Sequence, residues 1–199
     1  MNRHGHQTPT PAASHHTSTT THHTSSTPGH HTGTTTHQAH PLVANKPSVR
    51  VYTKAKTDYS LTIHDGEVIL APSSPADLRQ HWVKDEKFGH KVKDAEGFPS
   101  FALINMKTGE ALKHATKATH PVQLVSYNPD HLDESIMWTE SNDLGDNYKT
   151  IRKANNIELN IDALNGDPQH GGVHEGTKIV LWEWKKGENQ HWRIAPYCE

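Results

Sequence analysis

Trp182 and Trp184 stand two residues apart near the end of this 199-residue chain, shortly before an amide pair, Asn189-Gln190, and shortly after Asn160 and Asp162. Indoles are flat apolar platforms, while planar amides and carboxylates can engage two neighbouring hydroxyls at once. A pyranose, with one apolar face and a rim of hydroxyls, is the kind of molecule such a set holds. On a strand, Trp182 and Trp184 project to one face, and so do Asn160 and Asp162. Either of the last two accepts from sugar hydroxyls, and Asp162 is the preferred acceptor because a carboxylate takes two strong bonds.

The remaining reactive side chains point away from catalysis. Asp133-Glu134, Asp143 and Asp146 are acidic enough for a glycosidase pair, but adjacent carboxylates on a charged turn read as solvated surface. Cys198 is next to last in the chain, where a nucleophile is poorly held. No phosphate-binding loop, His-Glu-x-x-His or Cys/His zinc spacing is present. The expectation is a binding protein that is not an enzyme, with no cofactor and no metal in the folded part.

Composition divides the chain in two. No Asp or Glu precedes Asp58, and ten of the nineteen histidines fall in residues 1–46, several as pairs such as His15-His16, His22-His23 and His30-His31. That stretch of His, Thr, Ser and Pro has almost nothing to bury, so it is expected to stay disordered. Clustered imidazoles can capture metal ions and charge near their ordinary pKa. Residues 47–199 suffice for one core. A net charge of −2 does not call for nucleic acid as a partner, and no stretch reaches the length of a membrane span. A lone cysteine, no apolar leader and no Asn-x-Ser/Thr acceptor fit the cytoplasm and nucleus.

What positions the candidate residues is an internal repeat. Gln80-His81-Trp82 and Gln190-His191-Trp192 are near-copies, and Trp138 lies between them, 56 residues after Trp82 and 54 before Trp192. Around these tryptophans run short alternating strands, including Arg50–Thr53, Ser60–Ile63, Val68–Leu70, Phe101–Ile104, Val122–Val125, Ile157–Ile161 and Ile179–Trp182. Asp65-Gly66, Thr108-Gly109, Asn165-Gly166 and Lys186-Gly187 mark turns. Three four-stranded units predict an all-β fold, a β-trefoil, with the tryptophan of each unit in the core and the glutamine bracing a turn.

The Gln-x-Trp pattern resembles that of the ricin B-like lectins. Longer strings narrow the match: Gly97-Phe98-Pro99-Ser100-Phe101-Ala102-Leu103, Pro121–Asp130, Leu132–Ser135 through Trp138–Ser141, and His170–Val173 through Trp184 resemble the Euonymus lectin domain of plants, over about residues 48–197. The resemblance implies a non-enzymatic glycan binder of the plant nucleus and cytoplasm, associated with responses to drought, salt or abscisic acid. Its partners would be glycans or glycoproteins, either galactose-containing or mannose-rich. It also implies that Trp182, following Leu181, takes the place of the stacking aromatic, that Asn189-Gln190 matches the amide pair reaching sugar hydroxyls, and that Leu159-Asn160-Ile161 falls on the usual Leu-Asp-Val.

On that alignment the first unit is silent, with Thr62 and His64 in the acceptor positions, Ala71 for the platform and Arg79 before Gln80. The second has Lys113, Val125 and Tyr127 in the corresponding places. Tyr127, Asn128 and Asp130 fit either a weaker pocket or a plain turn. One working site predicts dissociation constants on the order of a tenth of a millimolar or weaker for a monosaccharide. The competing reading is an adaptor that responds to metal or nucleic acid through the His-rich tail.

Overall fold

The structure, a computed structural model, describes residues 38–197. The His-rich stretch up to residue 37 and Cys198 lie outside the described residues.

Among the described residues twelve strands follow one another, four to each repeat. β1 (Val49–Thr53), β4 (Trp82–Asp85), β5 (Ala102–Asn105), β8 (Trp138–Glu140), β9 (Ile151–Lys153) and β12 (Trp192–Pro196) form a barrel. β12, β1, β4 and β5 pair in that order, and β8 pairs with β9. Bridges from Phe101 to Trp138 and from Lys149 to Trp192 close the ring. Three hairpins cap it: β2 (Tyr59–His64) with β3 (Glu67–Pro72), β6 (Glu110–Lys113) with β7 (Gln123–Ser126), and β10 (Asn156–Ala163) with β11 (Thr177–Glu183). β3 touches β11 at Leu70 and Thr177, and Pro121 bridges to Val180, which draws the hairpins together. This is the expected β-trefoil.

The repeat exists because each unit buries the same indole in the same way. Trp82, Trp138 and Trp192 are fully buried, and their Nε1–H groups donate at 3.0 Å to the carbonyls of Leu61, Leu112 and Ile161. A buried indole thereby satisfies its one donor on the hairpin of its own unit. These bonds also fix the equivalences between repeats. Leu61, Leu112 and Ile161 correspond, so Asp162 answers to Thr62 and Lys113, and Asn160 to Ser60. The alignment of Asn160 with Thr62 and of Asp162 with His64 is therefore corrected by two residues. Alternation alone cannot detect a slip of two, because it leaves every side chain on its original face.

The glutamines brace turns. Gln80 accepts from the Ser74 amide at 2.8 Å and donates to the Pro72 carbonyl at 2.9 Å, and Gln190 repeats this with Lys185 and Glu183. In the second unit Ile136 takes that position and packs in an apolar cluster with Met137 and Tyr127. Buried His114 instead bonds the Met137 carbonyl at 2.7 Å and meets Trp138 edge-on at 4.6 Å, and burial lowers its pKa to about 4. Tyr127 is buried too, and its hydroxyl donates to Asp85. With Asn128 Oδ1 accepting from the Asp130 amide, that stretch is a structural turn.

One boundary differs from expectation. Residues 38–46 were expected in the tail, yet Val43 is buried against Ile104, Met106 and Ala111. The His40 amide donates to the Met106 carbonyl at 2.7 Å, and its ring covers Gly109, which has no Cβ to obstruct it. Burial of the single Val43 side chain is enough to hold a short polar segment against the barrel once backbone bonds are available, while Leu42 stays exposed.

Candidate functional site

Strands β10 and β11 pair with Asn160 opposite Trp182 and Asp162 opposite Val180. Asp162 and Trp182 therefore share a face, and together with Asn189, which leads into β12, they line a concavity of about 320 Å³. Lys185, Asp167 and His170 complete its rim. Trp182 is half-buried and belongs to neither core cluster, as a platform must.

Asp162 lies almost wholly inside. Its Oδ2 accepts from Gln190 Nε2 at 2.8 Å and its Oδ1 from Asn189 Nδ2 at 3.3 Å. Burial raises its pKa to about 6, against the pull of the Gln190 and Asn189 donors, and Asp167 pushes it the same way as burial. Asp167 in turn is bonded to His170 at 2.6 Å. Asn189 also donates to the Ala163 carbonyl at 3.1 Å, which engages its amide nitrogen twice, and its Oδ1 has no donor among the described residues. A carboxylate and an amide oxygen are thus held side by side, each with lone pairs to spare for incoming hydroxyls.

Two glycines make this placement possible. At Asn165-Gly166 and Lys186-Gly187 the positive φ falls on Asn165 (56°) and Lys186 (64°), so the glycines serve another purpose. A Cβ on Gly187 would lie 2.3 Å from Asn189 Oδ1, and one on Gly166 would lie 2.9 Å from Asn189 Cβ. The turn expected at Asn165-Gly166 is present, Lys186-Gly187 instead lies in an irregular connection after β11, and both glycines clear space for Asn189.

Three of the six sequence-derived candidates, Asp162, Trp182 and Asn189, come together here. Gln190 does not face the cavity. It is fully buried, and its amide hydrogens are committed to Asp162 and Glu183, so it positions the carboxylate from behind. Asn160 and Trp184 are placed elsewhere, in a depression that shares no lining residue with this one. β11 ends at Glu183, so strand alternation no longer governs Trp184, whose ring rests against His191 at 5.4 Å. Asn160 turns its amide toward the Glu158 and Trp182 carbonyls. His170 and Lys185 are rim groups that the sequence reading did not single out, and no spacing in the sequence marks them.

The other two repeats lack the set. Thr62, Ala71 and Arg79 stand at the equivalent positions of the first, and Lys113, Val125 and Ser135 at those of the second. Arg79 is drawn into an ion pair with Asp77 at 2.9 Å. Among the described residues no group of three or more His, Cys, Asp or Glu side chains could hold a metal ion.

No family model matches the chain. It is 59% identical over 155 residues to Ricin B-like lectin EULS3 of Arabidopsis thaliana, covering 78% of this chain and 49% of that protein. It is 52% identical over 152 residues to Ricin B-like lectin R40G3 of Oryza sativa subsp. japonica, covering 76% of this chain and 74% of that protein. The chain thus spans about half the length of the first relative and most of the second. Among solved structures it resembles the designed threefold protein ThreeFoil (TM-score 0.58, 18% identity, 74% of this chain and 97% of that one). It likewise resembles the Macrolepiota procera ricin B-like lectin in complex with lactose (TM-score 0.57, 16% identity, 74% of this chain and 94% of that one). At these identities the structural likeness speaks for the β-trefoil alone, while the sequence relatives, one of them matched along most of its length, decide the family: the chain belongs to the ricin B-like lectins.

Proposed function

We propose that the protein binds glycans without chemistry, through one main site in its third repeat. A pyranose lies against the Trp182 indole while Asp162 and Asn189 accept from adjacent hydroxyls, and Gln190 holds Asp162 in place. The observation that carries this reading is the convergence of an exposed-edge indole, a buried carboxylate and a free amide oxygen in one concavity, at a position where the other repeats offer none of the three. Galactose-containing glycans are the first ligand class, supported by the lactose held by the Macrolepiota procera lectin. Mannose-rich glycans are the second. The setting fits the nucleus and cytoplasm of a plant cell under stress, which a fluorescent fusion followed through drought or salt treatment would test.

Trp182→Ala tests the site. Covering roughly 70 Å² of indole at about 25 cal/mol/Å² is worth about 2 kcal/mol, so lactose affinity should fall about 30-fold with the unfolding transition unchanged. Unaltered binding in this variant would refute the site. Binding that instead requires added metal and residues 1–37 would favour the tail-driven adaptor.

A further inference from the structure

Trp184 and Asn160 line a depression of about 400 Å³ together with Leu144, Ile157, Glu158 and Arg152. Three large hydrophobic side chains are exposed among the described residues, and two of them, Leu144 and Trp184, meet here. An exposed indole in a concavity is a feature that ligand contact explains and core packing does not. Its orientation is also set in advance: His191 packs against it, and the His191 ring is itself tied to the Gly187 carbonyl at 2.7 Å.

Arg152 supplies the planar polar partner. It is buried, with Asp94 at 3.1 Å and Glu96 at 3.3 Å, yet its Nε–H finds no acceptor among the described residues. That Nε–H is sealed from solvent, so the guanidinium, held by its two carboxylates, gives this wall a fixed planar group and no free donor. Glu158 and Asn160 add acceptor oxygens beside it.

Ser141 and Asn142 line both this depression and a neighbouring cavity of about 510 Å³ floored by Phe98 and Phe101. The charged side chains around that cavity are slightly acidic in sum, Lys84 and Lys149 against Glu86, Glu140 and Asp143, with Lys84 lying 3.0 Å from Glu140 and 3.4 Å from Glu86. A neutral, hydroxyl-rich ligand fits such walls better than an anion does. Together the two spaces, about 400 and 510 Å³, hold more than one pyranose ring.

We infer that Trp184, Asn160 and Arg152 form a second saccharide site that takes a neutral oligosaccharide of two or more rings, with the terminal ring on Trp184 and the following rings running across Ser141 and Asn142 into the larger cavity. The inference rests on the lectin reading above but uses none of the residues of the first site. It is not a weakened copy of that site, because Trp184 answers to Ser73 and to buried Tyr127 in the other repeats. Two sites would make a single chain able to bridge glycans.

The full chain carries five tryptophans, whose indole N–H signals can be followed by nuclear magnetic resonance as lactose or a mannose-rich N-glycan oligosaccharide is added. At least one probe should move the Trp184 signal, and continue to do so in Trp182→Ala. Adding Trp184→Ala to that variant should weaken the residual binding more than tenfold. If Trp182→Ala removes all binding and the Trp184 signal never moves, the second site is refuted while the first stands. If Trp182→Ala changes nothing and Trp184→Ala abolishes binding, the first site falls and the second stands. Binding indifferent to both substitutions would overturn both.

Discussion

Replacing Asp162 with Asn isolates the free energy stored in the candidate site. Burial moves this carboxyl from 3.8 to about 6, which corresponds to roughly 3 kcal/mol of bias against its charged form. The folded state therefore keeps the proton to a higher pH than the unfolded state. Stability from this group is full below about 3.8 and is lost as pH rises through about 6. His114 acts in the opposite sense: with its pKa lowered to about 4, its contribution is present above 6.5 and lost as pH falls through about 4. A wild-type stability profile alone would mix the two. The difference between Asp162→Asn and wild type cancels His114 and the other groups that do not interact with Asp162. One end of the Asn side chain must face an amide donor of Gln190 or Asn189, which adds a penalty of about 1–3 kcal/mol that does not vary with pH. On top of that offset, the variant should gain about 3 kcal/mol relative to wild type between pH 4 and pH 7.5, or roughly 6–12 °C in relative midpoint for a domain of this size. Urea unfolding of both proteins at several pH values, followed by tryptophan fluorescence, measures it. Lactose titrations on the same samples should show wild-type affinity rising through pH 6 and the variant weak throughout. A stability difference that stays flat from pH 4 to pH 7.5 would refute the claim that Asp162 is buried as a strained acid.

Gln190→Ala and Gln80→Ala remove equivalent turn braces and should each destabilise by about 1–3 kcal/mol in chemical unfolding. Only Gln190→Ala should also shift the pH midpoint of lactose binding upward, because only Gln190 stabilises a carboxylate. Gly187→Ala keeps a backbone that alanine tolerates, at φ −73°, but puts a methyl 2.3 Å from Asn189 Oδ1. Calorimetric titration should find lactose affinity reduced at least tenfold, with less than about 1.5 kcal/mol lost from folding. Trp192→Ala should cost about 3–5 kcal/mol and strand the Ile161 carbonyl, so thermal melting should show a sharply lowered midpoint or no folded state, unlike Trp182→Ala.

The threefold frame was legible because each repeat must bury one indole and satisfy its N–H, which imposes a spacing that survives loops of unequal length. Seven strands could be read from runs such as Ser60–Ile63 and Ile179–Trp182. Strands as short as Trp138–Glu140 and Ile151–Lys153 could not, since three residues carry no period. The anchoring of residues 38–46 was hidden for a related reason: a single buried valine, Val43, has no pattern until the cluster around Met106 exists to receive it.

Within the site, residue type was easier to read than direction. Asp162 and Trp182 were found because they lie on one face of a regular hairpin, where alternation holds. Trp184 lies one residue past the end of β11, and there a period of two has no force. Gln190 shows the deeper limit. The Gln-x-Trp spacing specifies a buried brace, and a side chain that has already spent both amide hydrogens inside the fold has none to offer a ligand. In a repeat protein the positions that agree between copies are claimed by packing, so recognition must be sought where the copies differ. The columns that read Thr62, Lys113 and Asp162, Ala71, Val125 and Trp182, and Arg79, Ser135 and Asn189 are those differences, and the first became visible only after three buried indoles had fixed the register.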